Sequence, residues 1–487
     1  MHLSMPETGL TKEAIFNSLQ IFKKQDADWK SGKTFSLVFY PGEEITELIQ
    51  QAYLQYFFEN GLNPSIFRSL KRMETEVVSM TASLLNAPAD AAGNMTSGGT
   101  ESIICAMKAA KKYAKSKNKN LQRPNAVMPT TAHPAFFKAA DYLEMEIRLV
   151  NCTGDDLVPD IAHMRSLIDS NTVILVGSAP AYPHGLIDPL QAINDLALEK
   201  NIWMHVDACV GGYLLPFLEQ LGEPIPLFDF RLPAVHSISL DIHKYGYGAK
   251  GSSVILFRNS EMRKSQYFVY TEWPGGLYAS PTVTGTRPGG AIAAAWAIMN
   301  FLGQSGYRNL AKETLAAARK IQQGINDTKG IKVIGSPLTT VFSFTSEGKI
   351  DIYRLGDELT AKGWHLDRQL LPPSLHLSVS NGNIPFAEDF INDVKEATEK
   401  LSKNTVANFS DSLKQNIITQ AVKILPENWL KKITNSSIKD IPNQTDNTGK
   451  TAPLYGLMGE LSGTGTLEEM VLNLLDAMNK PGKESFE

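Results

Sequence analysis

The chain has 487 residues, 43% hydrophobic and 20% charged, the balance of a globular protein with a large core. A formal net charge of −4 gives no electrostatic footprint for nucleic acid, and no apolar run reaches the ~18–20 residues that cross a bilayer. Cys105, Cys152 and Cys209 lack metal-type spacing and residues 1–30 lack a secretory pattern, so a soluble cytoplasmic enzyme without disulfides or metal is expected.

Residues 1–75 read as an N-terminal arm with helical segments. Thr11 to Lys24 is amphipathic (Ile15, Phe16, Leu19, Ile21, Phe22), a face for packing on a second subunit or for contact with a membrane surface. Helices are predicted over Glu43 to Phe58 and Phe67 to Leu85, parted by the Asn63-Pro64 break. Then Asn94-Met95-Thr96-Ser97-Gly98-Gly99-Thr100-Glu101-Ser102 runs into a helix from Ile103 to Lys115. Glycines at a helix start let an anion approach free backbone N–H groups, although Ser97 or Thr100 acting as a plain cap accounts for the same residues.

Residues 76–305 alternate strand-like and helix-like runs. Strands are predicted at Asn125 to Met128, Glu146 to Val150, Thr172 to Val176, Trp203 to Val206, Val235 to Leu240 and Ser253 to Phe257, with helices from Pro134 and over Pro189 to Lys200. That alternation predicts an α/β fold, a mostly parallel sheet with helices on both sides and ligands at the strand ends. Residues 306–487 read as a smaller α+β domain. A small-residue helix is predicted over Ala291 to Met299 and a long helix over Leu310 to Ile325. The strands of the smaller domain are predicted at Lys332 to Ile334, Thr340 to Phe344 and Leu375 to Val379, its further helices at Ile352 to Lys362, Ala387 to Leu401 and Leu467 to Met478, with a mobile loop over 434–452.

Three chemistry-bearing side chains fall at the expected strand ends. Lys244, in His243-Lys244-Tyr245-Gly246, follows a buried strand and a polar turn; an amine that is desolvated or set among cations has a lowered pKa and can form an imine. Lys250 is a second cation nearby, able to lower that pKa or hold an anion, or else simply solvated. Asp207 ends a strand before small residues, where it can hold a proton on a heteroaromatic nitrogen or cap the next turn. His133, where a strand turns into a helix, can stack on a planar group or serve a structural role.

A phosphate-type helix start (Gly99, Thr100), a ring cover (His133), a strand-end acid (Asp207) and a His-Lys pair (His243, Lys244) are together what pyridoxal 5′-phosphate requires. At these residues the chain resembles the sphingosine-1-phosphate lyase family. The motifs are Thr96-Ser97-Gly98-Gly99-Thr100-Glu101-Ser102, His205-Val206-Asp207-Ala208, His243-Lys244-Tyr245-Gly246-Tyr247, Gly276-Leu277-Tyr278-Ala279-Ser280-Pro281 and Gly285-Thr286-Arg287-Pro288-Gly289-Gly290. The first motif and the His-Lys pair are shared with the wider pyridoxal-dependent decarboxylases.

The resemblance implies a fold-type I homodimer of the aspartate aminotransferase-like architecture, with active sites at the subunit interface. It puts covalent attachment on Lys244, the ring stack on His133 and the pyridine-nitrogen contact on Asp207. Phosphate would rest on Gly99, Thr100 and His243, with Gly285 and Thr286 from the other subunit. Tyr40, Tyr182, Lys250 and Tyr455 match positions used around the substrate. Where the family usually has His before Pro in the N-terminal arm, this chain has Asn63 before Pro64, and no membrane anchor like that of eukaryotic members is expected.

The implied reaction is retro-aldol cleavage of a phosphorylated sphingoid base to phosphoethanolamine and a long-chain aldehyde. Tyr182, Tyr455 or the cofactor phosphate are the candidates for the base at the 3-hydroxyl. The rival readings are an amino-acid decarboxylase on the same scaffold and a catalytically silent lipid-binding homologue.

Overall fold

The structure is a computed structural model that describes residues 4–154, 156–348, 350–403, 451–463 and 465–479. The loop expected over 434–452 therefore lies, up to residue 450, outside the described residues.

The strands are β1 (Ala92–Thr96), β2 (Asn125–Pro129), β3 (Glu146–Val150), β4 (Cys152–Thr153), β5 (Val158–Pro159), β6 (Thr172–Ser178), β7 (Trp203–Asp207), β8 (Val235–Leu240) and β9 (Ser253–Phe257), followed by the hairpin β10 (Phe268–Trp273) and β11 (Gly276–Ser280). Seven of them form one sheet in the order β1-β9-β8-β7-β6-β2-β3. Pairing is parallel from β8 through β3, whereas β9 runs antiparallel to both β8 and β1. The sheet is thus mostly parallel, as predicted, with one reversed strand near its edge.

The near-continuous apolar runs of these strands follow from burial on both faces. Successive side chains point to opposite faces, and the two cores divide accordingly. Val127, Leu175, Val254 and Leu256 join one apolar cluster, while Ala126, Met128, Ile174, Val176, Ile255 and Phe257 join the other. β1 was not foreseen as a strand, because Ala92-Gly93-Asn94-Met95-Thr96 has weak strand propensity; pairing with β9 holds it extended.

A second sheet, antiparallel throughout, comprises β12 (Ile331–Val333), β13 (Val341–Ser346), β14 (Asp367–Leu370) and β15 (Pro373–Ser378) in the order β12-β13-β15-β14. Its apolar face packs Phe342, Phe344, Leu375 and Leu377 against Trp364 and Phe390. Phe35 of the N-terminal segment enters the same core, stacked 5.6 Å from Trp364, while Ser378 N donates to Phe35 O. That insertion leads the chain past the mouth of the larger sheet at residues 37–40.

The two predicted helices, Ala291 to Met299 and Leu310 to Ile325, lie on either side of Gly303 within Gly289–Asn326, where the non-helical backbone of that glycine kinks the element. The division expected at 305/306 falls inside this helix, just past that glycine. The amphipathic N-terminal helix (Lys12–Lys23) buries no residue and leaves Ile15, Phe16, Leu19, Ile21 and Phe22 exposed. Among the described residues no helix is long and apolar enough to cross a membrane.

Candidate active site

β2, β7 and β8 are parallel strands of one sheet, so their carboxyl ends open on the same edge. His133 follows β2, Asp207 ends β7, and Lys244 comes just after β8. A cavity of about 360 Å³ lies there, lined by Gly99, Thr100, His133, Tyr182, Asp207, His243 and Lys244. Its size is that of a small-molecule site.

The turn that presents Lys244 is tied on several sides. His243 N donates to Ser252 O, Gly248 N to Ile242 O, and Tyr307 Oη to Gly246 O. Tyr245 Oη donates to Val379 O, and Thr340 Oγ1 donates to Tyr245 Oη, which fastens the turn to the smaller sheet. A Cβ on Gly246 would stand 2.5 Å from Ile242 O, so this close return admits only glycine.

Lys244 Nζ sits 2.9 Å from Asp241 Oδ2, and the carboxylate also accepts a 2.6 Å bond from Ser253 Oγ. Burial alone would lower the amine pKa, but its acidic neighbours, Asp241 foremost with its charge and hydrogen bond, together outweigh it, and the ammonium is held above its ordinary range. This corrects the expected lowering by desolvation or by Lys250. Lys250 turns away, donating to Leu37 O at 2.7 Å and to His243 O at 3.4 Å. Asp241 was missed because nothing local distinguishes it from any turn aspartate.

Asp207 is buried, and its Oδ1 accepts from Cys209 N at 3.0 Å and from Ser239 Oγ at 3.4 Å. It therefore caps the next turn as well as lining the cavity. His133 Nδ1 accepts from Ala135 N at 3.1 Å, and burial lowers the ring's pKa, which favours the neutral imidazole. Burial likewise raises the Cys209 thiol well above its usual range, so it stays protonated.

The helix Gly99–Lys117 begins behind Gly98 with no side-chain cap, so neither Ser97 nor Thr100 closes it. Its first N–H groups have no intrahelical acceptor, and the residues that carry them line the cavity. A Cβ on Gly99 would meet Cys209 Sγ at 2.7 Å and Asp241 at 3.1 Å, so the helix start can press onto the floor only as glycine. Glu101 was also missed: it accepts from Ser97 N at 2.6 Å and from Val283 N and Thr284 N at 2.9 Å, joining the helix start to the glycine-rich loop.

These residues fit pyridoxal 5′-phosphate. An uncapped helix start with room made by Gly99 suits a phosphate, a neutral imidazole suits a ring face, and a buried acid and an amine share one small cavity.

Other expected residues do not join this cavity. Gly285 lies under Tyr278 and Thr286 is exposed on the same loop. Asn63 is exposed, its Oδ1 accepting from Ser65 N at 3.0 Å and Ser65 Oγ at 2.7 Å. Tyr40 packs edge-on to Trp29 at 5.6 Å, and Tyr455 lies 5.4 Å under the Arg368 guanidinium on the smaller sheet. Among the described residues no cluster of His, Cys, Asp and Glu could hold a metal ion.

Residues 2–346 match the family described as the pyridoxal-dependent decarboxylase conserved domain. The chain is 38% identical to the sphingosine-1-phosphate lyase of Oryza sativa over 98% of its own length and 82% of the relative's. It is 40% identical to sphingosine-1-phosphate lyase 1 of Rattus norvegicus over 83% of its length and 71% of the relative's. Among solved structures, the sphingosine-1-phosphate lyase of Burkholderia pseudomallei superposes with a TM-score of 0.79 at 37% identity, covering 85% of this chain and 96% of that one. The glutamate decarboxylase of Lactobacillus brevis shares the fold, with a TM-score of 0.72 at 21% identity over 82% of this chain and 95% of that one.

Proposed function

The chain belongs to the sphingosine-1-phosphate lyase family of pyridoxal-dependent enzymes, and on that premise we propose that it cleaves phosphorylated sphingoid bases to phosphoethanolamine and a long-chain aldehyde. It is a pyridoxal-phosphate enzyme of fold type I. The observation that carries the reading is the convergence of Lys244, Asp207, His133 and the Gly99-Thr100 helix start on one cavity, in a chain with this kinship.

In the proposed roles, Lys244 supplies the amine for covalent attachment, and the ionised Asp241 holds on that amine the proton it must shed before it attacks. Asp207 keeps a proton on the ring nitrogen, His133 covers the ring face, and Gly99, Thr100 and His243 receive the phosphate. The bound cofactor supplies an electron sink for the pair released when C2–C3 breaks. Lys250, Tyr40, Asn63 and Tyr455 form the substrate side, with Tyr182 reaching in from the cavity wall.

The same proposal makes the enzyme a homodimer in which Gly285 and Thr286 serve the neighbouring subunit's cavity. Neither lines the chain's own cavity, which supports this, as do the exposed apolar side chains of the hairpin, Phe268, Trp273 and Leu277. The exposed N-terminal helix is assigned to the same packing. The domain division at residues 75 and 305 and a cytoplasmic location also belong to the proposal, the latter supported by free Cys105, Cys152 and Cys209.

The direct test is to incubate the purified protein, loaded with pyridoxal 5′-phosphate, with a sphingoid-base phosphate. Phosphoethanolamine and a long-chain aldehyde in equal amounts are expected. An intact substrate, together with carbon dioxide released from an amino acid, overturns the reading in favour of a decarboxylase.

A further inference from the structure

The geometry points to Tyr182 and Asp367 as a paired proton acceptor for the C3 hydroxyl of the substrate, and to this pair as the element that distinguishes a hydroxyl from a carboxylate beside the reacting carbon. The inference rests on the lyase reading above and names the base that reading leaves open. Tyr182 belongs to the loop after β6 and lines the cavity with Lys244 and Asp207. Asp367 opens β14 of the other sheet, 185 residues away, and its Oδ2 accepts a 2.6 Å hydrogen bond from Tyr182 Oη.

The polarity of that bond decides the chemistry. An ionised carboxylate only accepts, so the phenol must spend its single proton on Asp367. The Tyr182 oxygen is left with lone pairs, and toward a bound molecule it acts as an acceptor. A hydroxyl gains a hydrogen bond there; a carboxylate meets it lone pair to lone pair. Tyr182 thus favours an alcohol over the carboxylate that a decarboxylase must hold.

Tyr182 by itself is a poor base. Burial, reinforced by the Asp367 charge, keeps its pKa well above the usual phenol range, so the phenolate is not a resting species. Paired with Asp367 it need never become one. The C3 O–H proton passes to Tyr182 Oη as the Tyr182 proton passes to Asp367. The O–H electron pair becomes the second bond of the aldehyde carbonyl. The C2–C3 pair leaves C3 with the C2 fragment, and C2 later takes a proton. The overall cleavage neither consumes nor releases a proton, so delivery of one equivalent to C2 resets the pair.

The surroundings hold Tyr182 in this pose without competing for the proton. Its ring packs 4.3 Å from that of His376, whose Nδ1 lies 3.0 Å from Pro183 O and whose Nε2 lies 2.9 Å from Ser378 Oγ. Burial lowers the pKa of His376 and takes neighbouring His184 down to about 4, so both rings are neutral.

Asp367→Asn preserves size and an acceptor oxygen but takes up no proton. We expect kcat for a sphingoid-base phosphate to fall by about 10²-fold or more, the usual worth of a general base, with KM within about threefold. Tyr182→Phe should lose as much, the double variant no more than Tyr182→Phe alone, and Asp367→Glu should recover part of the rate. Borohydride trapping of cofactor on Lys244, read by mass, should stay at the wild-type level in all of them.

O-phosphoserine carries a carboxylate where the substrate carries the hydroxyl-bearing carbon. Its inhibition should tighten about tenfold or more in Asp367→Asn, where the amide can turn its NH2 group toward Tyr182 Oη and leave the phenol proton for the carboxylate. An unchanged kcat, additive losses in the double variant, trapping that falls in step with kcat, or unchanged inhibition by O-phosphoserine each overturns the pair. A wild-type enzyme that leaves the sphingoid-base phosphate whole overturns the lyase reading and the pair with it. Wild-type cleavage with an equally fast Asp367→Asn overturns the pair alone.

Discussion

Lys244, Asp241, Asp207 and His133 stand at the ends of parallel strands, tied by backbone and side-chain bonds within a single chain and largely buried. Asn63, Thr286 and Tyr40 sit on loops and Tyr455 on the helix Ala452–Leu461 beside the smaller sheet, at the exposed rim or away from the cavity. The contrast teaches that the floor, which would hold the cofactor, is built by the sheet itself. The rim, which would read the substrate, depends on segments brought in from elsewhere and, under the proposed dimer, on a second subunit. Substitutions in the floor should change chemistry, and those in the rim should change recognition.

The sharpest break is Lys244→Ala. It should abolish borohydride-stable attachment of cofactor and reduce cleavage by several orders of magnitude, with dimer formation unaffected, as read by mass spectrometry and light scattering. Retained attachment would move the nucleophile to another lysine. Next, Asp207→Asn keeps the bond to Cys209 N but removes the charge, and kcat should fall on the order of 10²–10³-fold. A KM effect alone would place Asp207 outside the chemistry.

Asp241→Asn tests the floor electrostatically. Asp241 raises the Lys244 pKa against burial, so removing its charge leaves burial to lower it. The neutral amine then becomes available at lower pH, and the onset of covalent trapping should move down by about one pH unit or more. An onset that stays put or moves up would assign the Lys244 proton to another partner. The smallest effect is expected at the rim. Asn63 is exposed and bonds only within its own turn, so Asn63→Ala should change stability by less than about 0.5 kcal/mol and act on KM rather than kcat. Asn63→His, restoring the family's usual residue, should lower KM; a changed kcat would make this position part of the floor's chemistry.

Legibility followed the same line. The strands at Glu146–Val150, Val235–Leu240 and Ser253–Phe257 were predicted to the residue, because their apolar runs and flanking turns leave little alternative. β14, Asp-Arg-Gln-Leu, carries no such pattern; it is extended because β15 pairs with it. The hairpin of β10 and β11 is exposed along most of its length, so burial leaves no trace in its sequence. Within Gly289–Asn326 two helices are legible, since Gly303 is a local breaker and its backbone is indeed non-helical.

By itself, the amino-acid order determined which side chains stand at the ends of the parallel strands, since a strand followed by a turn places its next polar residue there whatever the rest of the chain does. That is why Lys244, Asp207, His133 and the Gly99 helix start were all found. What each group faces was decided only in three dimensions. Asp241 sets the charge on Lys244, Glu101 ties the helix start to the loop at Val283, and Asp367 fixes the polarity of Tyr182. Such pairings depend on distances of a few ångströms between segments, two of them from far apart in the chain, and pKa responds to those distances rather than to sequence position.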